Sequence, residues 1–349
     1  MYYEINPKTI LQTPAPDDPY FRQAWEFCCE WAKGQTAFIL HTSGSTGQPK
    51  PITLTRTQMQ ASARMTHRAL ELKEENTALV CLNTAYIAGT MMLVRGMEIG
   101  MIMYVVPPAA QPFAVLPEAL KIDFAAFVPL QLQTILEQTT SQLETLKVIL
   151  VGGAPVTGSL LTQIRQLNVP VFSTYGMTET VSHVALQRLN GTATINGSYE
   201  LLAGIKTETD ERGCLRICGA VTNNEWIQTN DVVEFTDERR FQIIGRADNI
   251  INSGGVKIQL EKVERAFGQV WKGSERYFAW WMPDERLGQR LILVLETSES
   301  VENEPLKKGL ASLLNPYEIP KQVISIEKFS ETPTGKVDKR ATFARSQSS

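Results

Sequence analysis

From residue 37 to about residue 180 the chain alternates short apolar runs with helical stretches, and this rhythm restricts the fold more than any other feature. Residues 37–40, 78–82, 101–106, 124–128, 148–151 and 169–172 read as buried strands. Residues 129–138 and 158–167 carry helical periodicity between some of them. Strands separated by helices predict parallel pairing with crossover helices. A first helix is expected after Asp17-Asp18-Pro19, a cap followed by an N1 proline, with Phe21, Trp25, Cys28 and Ala32 at helical spacing.

The rhythm changes near residue 182. Short β-type runs at 195–202, 215–218, 232–235 and 241–244 are separated by turn residues, as in an antiparallel sheet or small barrel. Beyond Gly245-Arg246 come a helix at 260–267, strands at 277–282 and 291–295, a helix at 305–314 and a strand at 323–326. The expected class is α/β. Residues 1–246 form a large N-terminal domain of parallel α/β sheets plus a small β-barrel-like subdomain, and residues 247–349 form a small α+β C-terminal domain.

With 349 residues the chain is long enough for about two domains. Its 34 basic and 37 acidic residues leave a net charge of −3, which gives no electrostatic basis for nucleic acid as a partner. The longest apolar stretch, residues 78–94, is broken by Asn83 and Thr84 and falls short of the roughly 20 residues that span a bilayer. Met1-Tyr2-Tyr3-Glu4 has neither a basic nor an apolar leader segment, so no secretory signal is read. Five cysteines, Cys28, Cys29, Cys81, Cys214 and Cys218, fit a reducing, cytoplasmic setting. Cys214 and Cys218 flank a strand-like Leu-Arg-Ile without a second Cys/His pair nearby, so they are read as buried thiols rather than zinc ligands.

One segment carries more chemistry than any other: Thr42-Ser43-Gly44-Ser45-Thr46-Gly47-Gln48-Pro49-Lys50, directly after a strand. Glycines let the backbone approach a ligand, turn amides and hydroxyls donate to an anion, and lysine adds charge. This composition suits phosphate, although a flexible polar turn has the same make-up. It does not satisfy the Walker A spacing, which disfavours a P-loop kinase. Three further segments have related chemistry. Gly152-Gly153-Ala154-Pro155 follows a strand, where α/β folds bind ligands. Tyr175-Gly176-Met177-Thr178-Glu179-Thr180 offers a ring to stack on a base, a hydroxyl for phosphate and a carboxylate for Mg²⁺. Pro333-Thr334-Gly335-Lys336 sets a lysine on a glycine turn.

Taken in order, from Thr42 to Lys336, these segments resemble the adenylate-forming superfamily of acyl-CoA synthetases, adenylation domains and luciferases. Thr229-Asn230-Asp231 resembles its ribose-binding Thr-Gly-Asp, Gly245-Arg246-Ala247-Asp248 its hinge, and Ser253-Gly254-Gly255 the glycine turn that follows. Within the superfamily the chain is most similar to the o-succinylbenzoate–CoA ligase family of menaquinone synthesis. That likeness rests on Tyr175 to Thr180 continued by Val181-Ser182-His183, and on Tyr86-Ile87-Ala88-Gly89 followed by Arg95. The chain departs from the pattern in three ways: little chain precedes Thr42, Tyr86 stands where many relatives have histidine, and Asn230 replaces a glycine.

The resemblance implies a carboxylic acid activated by ATP to an acyl adenylate and pyrophosphate, then passed to coenzyme A with release of AMP. It implies that Thr42, Ser43, Gly44, Ser45, Thr46, Gly47, Lys50, Gly152, Gly153, Ala154, Tyr175, Gly176, Met177, Thr178, Asp231 and Arg246 bind ATP, and that Glu179 binds Mg²⁺. Lys336 would be catalytic, Asp248 the pivot of a mobile C-terminal domain, and Gly254 and Gly255 the coenzyme A turn. Tyr86, Arg95, Ser182 and His183 would line the acid pocket, with Arg95 facing a second carboxylate. Alternatives stay open: an aryl- or fatty-acyl-CoA ligase, a stand-alone adenylation domain loading a carrier protein, or a degenerate adenylate-binding module without catalysis. The sequence does not fix whether the chain is a homodimer.

Overall fold

The computed structural model describes residues 1–41, 51–156, 158–191, 197–271, 273, 275–332 and 337–346. The chain opens with β1 (Tyr3–Ile5) and α1 (Pro19–Ala32). The Asp18 carboxylate caps α1 by accepting from the backbone N–H groups of Tyr20 and Phe21, and Pro19 fills the first turn. Next come β2 (Ala37–His41), β3 (Pro51–Thr55), α2 (Arg56–Leu70), β4 (Thr77–Val80), α3 (Ile87–Ile99) and β5 (Ile102–Val105). They are followed by β6 (Phe124–Phe127), α4 (Pro129–Gln138), α5 (Thr140–Leu143), β7 (Val148–Val151), α6 (Gly158–Ile164) and β8 (Val171–Gly176). An antiparallel run follows: β9 (His183–Arg188), β10 (Tyr199–Leu201), β11 (Lys206–Thr209), β12 (Cys214–Cys218), β13 (Ile227–Phe235) and β14 (Arg240–Arg246).

These strands build one 12-stranded sheet in the order β1-β5-β4-β6-β7-β8-β9-β10-β14-β13-β12-β11. From β5 to β8 all neighbours are parallel, as the strand–helix alternation requires. Side chains along these strands alternate between two cores: Ala78 and Val80 join one, Leu79 and Cys81 the other. Helices α1, α2 and α3 supply the first core and α4 and α6 the second. Burial on both faces is why these strands read as unbroken apolar runs. At β8 the direction switches, because β9 pairs antiparallel with it. The antiparallel strands expected as a small subdomain therefore continue edge to edge from the parallel ones.

The strand at residues 37–40 differs from expectation. It lies in β2, which pairs with β3 in a separate two-stranded antiparallel sheet. Phe38, Leu40 and Leu54 are buried, yet Ile39 between them is 68% exposed. Only one face is covered, which suits a hairpin and not a central parallel strand.

The remaining elements are β15 (Ile250–Ser253), β16 (Val256–Gln259), α7 (Leu260–Val270), β17 (Tyr277–Asp284), β18 (Gly288–Glu296), α8 (Asn303–Leu310), β19 (Gln322–Ile326) and α9 (Lys339–Ser346). They form a second, five-stranded sheet with its own apolar clusters around Phe267, Leu293 and Phe278. The two sheets meet through α7. Arg265 Nη2 donates to Ile244 O at 2.8 Å, and Gln259 Nε2 donates to Arg246 O at 2.9 Å. All five cysteines are free and buried, and burial pushes the Cys81 thiol up to about 12. Among the described residues no helix is long and apolar enough to cross a membrane.

Candidate active site

The carboxyl ends of β7 and β8 lie side by side, since Val151 pairs with Ser173. That is the end of a parallel sheet where ligands bind. Gly152 leaves β7 against Thr174, whose Oγ1 would sit 2.2 Å from any Cβ at this position. Gly153 adopts φ +87°, a left-handed backbone that favours glycine, and Gly153 and Ala154 are exposed.

Tyr175, next to last in β8, is only 8% exposed. Its ring lies 5.4 Å from Phe241 and 5.8 Å from Tyr199, so an aromatic cluster surrounds the ring expected to stack on a base. Its hydroxyl donates to Asp231 Oδ2 at 2.7 Å. Burial, and then the Asp231 charge, raise this phenol far above the ordinary tyrosine range. Asp231 on β13 faces Arg246 on β14 in the strand register, and Arg246 Nη1 donates to Asp231 Oδ1 at 3.0 Å. Arg246 also holds Asp248, Nε to Oδ1 at 2.9 Å and Nη2 to Oδ2 at 2.8 Å. This fork lowers the Asp248 carboxyl and raises the guanidinium. Asn230, in place of a glycine, lies within β13 without a positive φ, so the strand does not require glycine there. Its Nδ2 donates to Asp248 Oδ2 at 3.4 Å.

After Tyr175 the chain turns tightly. Gly176 pairs with His183, and a Cβ at Gly176 would lie 2.2 Å from Ser182 O. Thr178–Thr180 is a 3₁₀ turn that leaves Glu179 exposed, while Met177 and Thr178 are half-buried. Among the described residues the Glu179 carboxylate has no hydrogen bond or ion pair, and no cluster of three or more His, Cys, Asp or Glu stands ready for a metal. A single free carboxylate fits Mg²⁺, which keeps waters and takes most of its remaining ligands from phosphate oxygens. Val181 then adopts φ +65°, ψ −52°, and Ser182 N donates to Thr180 O at 2.7 Å. This is the rare, strained γ-turn, and here it holds a fully buried β-branched residue.

That turn delivers Ser182 and His183 to Arg95. Arg95, on α3, is 3% exposed and has no carboxylate partner among the described residues. Desolvation alone lowers it to about 10, so it stays cationic at neutral pH. Its Nη2 donates to Ser182 Oγ at 2.8 Å and lies 3.5 Å from His183 Nδ1, and its Nε donates to Thr66 Oγ1 at 3.3 Å. Burial, and then the Arg95 charge, hold His183 well below the ordinary histidine range.

The structure thus brings together two groups of expected residues. Tyr175, Asp231, Arg246 and Asp248 form one, and Arg95, Ser182 and His183 the other; they meet where Gly176 pairs with His183. Tyr86 is separate: it caps the start of α3, about 13 Å along the helix from Arg95. Gly254 and Gly255 make an exposed turn in the second sheet with φ +61° and +86°. Thr42, Ser43, Gly44, Ser45, Thr46, Gly47, Lys50 and Lys336 lie outside the described residues. Thr66 escapes motif reading. Its only sequence signal is that Gln58, Ser62 and Thr66 follow helical spacing on the buried side of α2, beside Met59 and Ala63.

Residues 9–206 match the family model described as AMP-binding enzyme. An acyl-CoA synthetase (AMP-forming)/AMP-acid ligase II-like protein from Dyadobacter fermentans is 48% identical, covers 99% of both chains and superposes with a TM-score of 0.70. A 2-succinylbenzoate–CoA ligase from Listeria monocytogenes is 26% identical over 88% of this chain and 70% of its own. The o-succinylbenzoate coenzyme A synthetase of Bacillus subtilis, solved with ATP and magnesium, shares the fold at 23% identity and TM-score 0.74, over 87% of this chain and 69% of its own. The chain belongs to the AMP-binding enzyme family.

Proposed function

We propose that this protein is an ATP-dependent, AMP-forming acid–CoA ligase acting on o-succinylbenzoate. The observation that carries the substrate is Arg95. A buried guanidinium without a counter-charge among the described residues is costly unless a ligand supplies the anion. A dicarboxylic aryl acid does so with the carboxylate that does not react, whereas an aryl or fatty acid with an apolar body leaves the charge unpaired. The curated relatives carry the same activity in their names.

A carboxylate is a poor electrophile, so it must first acquire a leaving group. One oxygen of the acid attacks the α-phosphorus of ATP, a P–O bond forms, and the bond to the β-phosphate oxygen breaks to release pyrophosphate. The obstacle is that one anion approaches another. Residues 42–50 would hold the outer phosphates, and Lys336 would sit between the acid and the α-phosphate. Asp231 and Arg246 would hold the ribose, with Gly152, Gly153 and Ala154 near the base. Mg²⁺ held by Glu179 would neutralise phosphate charge. In the second step the sulfur of coenzyme A attacks the acyl carbon, the thiol loses its proton and AMP leaves.

We place the boundary between a 1–246 domain and a mobile 247–349 domain at the hinge. Rotation about Asp248 would withdraw Lys336 and present Gly254 and Gly255 to coenzyme A. The five free, buried cysteines support a cytoplasmic setting. A thiol-consumption assay with ATP, Mg²⁺, coenzyme A and a panel of acids tests the reading. Turnover of o-succinylbenzoate well above that of benzoate or a fatty acid is expected. Preference for a monocarboxylic acid would overturn it.

A further inference from the structure

Four side chains from three elements close a hydrogen-bonded ring around Arg95. Thr66 Oγ1, fully buried on α2, lies 3.1 Å from Ser62 O, 3.3 Å from Arg95 Nε and 2.9 Å from His183 Nε2. A hydroxyl has one proton. In a helix it goes to the carbonyl four residues back, here Ser62 O. Thr66 Oγ1 must then accept from both other neighbours, and arginine can only donate. His183 Nε2 therefore carries the imidazole proton, and Nδ1 keeps its lone pair. That lone pair faces Arg95 Nη2 at 3.5 Å and Ser182 Oγ at 3.4 Å. Ser182 Oγ in turn accepts from Arg95 Nη2 at 2.8 Å. The Ser182 hydroxyl proton can then point at the His183 Nδ1 lone pair.

We propose that Thr66 is a positioning residue of the acid pocket: its hydroxyl oxygen fixes His183 as the neutral Nε2–H tautomer and anchors the Arg95 guanidinium for an anionic substituent of the acid. The remaining donor explains the geometry. Among the described residues Arg95 Nη1 has only the Met92 thioether sulfur, a weak acceptor at 3.7 Å, so its N–H groups are those left for a carboxylate. Were the imidazole proton on Nδ1, it would point at the guanidinium and push it away. Among the described residues Arg95 is the charged group that faces His183, and its other hydrogen-bond neighbours, Thr66 and Ser182, are neutral. The inference rests on Arg95 binding the second carboxylate, as proposed above.

The test combines spectroscopy and kinetics on the whole protein. With ¹⁵N-histidine labelling only His41, His67 and His183 contribute signals, and His183→Gln assigns the third. The wild type and Thr66→Ser should show His183 as the Nε2–H tautomer without titration between about pH 5.5 and 8. Thr66→Val keeps the shape and removes the acceptor. It should raise KM for o-succinylbenzoate by about tenfold to a hundredfold, the span of one charge-assisted hydrogen bond, with KM for ATP and kcat nearly unchanged. Thr66→Ser should restore it. An Nδ1–H tautomer in the wild type, or a Thr66→Val KM within about twofold of wild type while Arg95→Leu is impaired, overturns the inference. If Arg95→Leu itself leaves the KM unchanged, the reading of Arg95 is what fails.

Discussion

Arg246 grips Asp248 with two hydrogen bonds, 2.9 and 2.8 Å long, while its third donor reaches Asp231 at 3.0 Å. One guanidinium therefore joins the carboxylate proposed for the ribose to the residue proposed as pivot. In the proposed reading, nucleotide binding and the orientation of the second sheet would share a single side chain. The Arg246→Met variant should raise KM for ATP about tenfold or more. The half-exposed pair with Asp248 contributes about 0–1 kcal/mol, but Asp231 is buried and would lose its counter-charge, so thermal unfolding should also move down. Steady-state kinetics beside a thermal melt check both; an unchanged KM for ATP would remove Arg246 from the nucleotide site.

Val181 offers a test of backbone strain. Glycine in a regular element normally costs about 0.5–1 kcal/mol relative to alanine. At φ +65° the order should invert, since glycine relieves about 1–3 kcal/mol of strain that alanine retains. Both variants lose the buried methyl groups. Calorimetry should find Val181→Gly melting at or above Val181→Ala, and the opposite order would mean that Val181 is not strained.

His183 makes stability depend on pH. Its folded pKa lies well below the ordinary 6.5, so below that pH the unfolded chain takes up a proton that the folded chain refuses. The contribution is fully present above pH 6.5 and declines as pH falls, by about 1.4 kcal/mol per unit. Urea unfolding at pH 7.5, 6.5 and 5.5 should show the wild type losing stability relative to His183→Gln. Parallel losses would place a protonated imidazole in the fold.

Arg95 should trade stability for binding. Arg95 has no counter-ion among the described residues, so an apolar side chain in its place removes a desolvation cost that nothing there offsets. Arg95→Leu should therefore melt no lower than the wild type while losing o-succinylbenzoate turnover at ordinary substrate concentrations. A fall of several degrees would show that the guanidinium mainly holds the fold.

Elements with strong local signals were legible in the sequence. The parallel series from residue 78 onward emerged from its apolar runs because both faces of those strands are covered. Residues 37–40 looked the same, yet their one-sided burial is set by pairing with β3 across the intervening residues, which short-range pattern does not reveal. β1, only three residues long, gains its place from pairing with β5 rather than from its own composition. The antiparallel strands were visible, but their attachment to β8 depends on the turn at Val181. The Tyr175 segment was legible because its chemistry is local, whereas Asp231, Arg246 and Arg95 were singled out only by the family resemblance. Thr66 stayed hidden because its role comes from packing α2 against α3 and β9, and a threonine within a helix otherwise looks like filler.

The central claim is that this protein joins an acid to AMP before coenzyme A is involved. Exchange of labelled pyrophosphate into ATP, measured with Mg²⁺ and without coenzyme A, isolates that step. Exchange should start when o-succinylbenzoate is added and be far weaker with benzoate. No acid-dependent exchange, or formation of ADP in place of AMP, would contradict it.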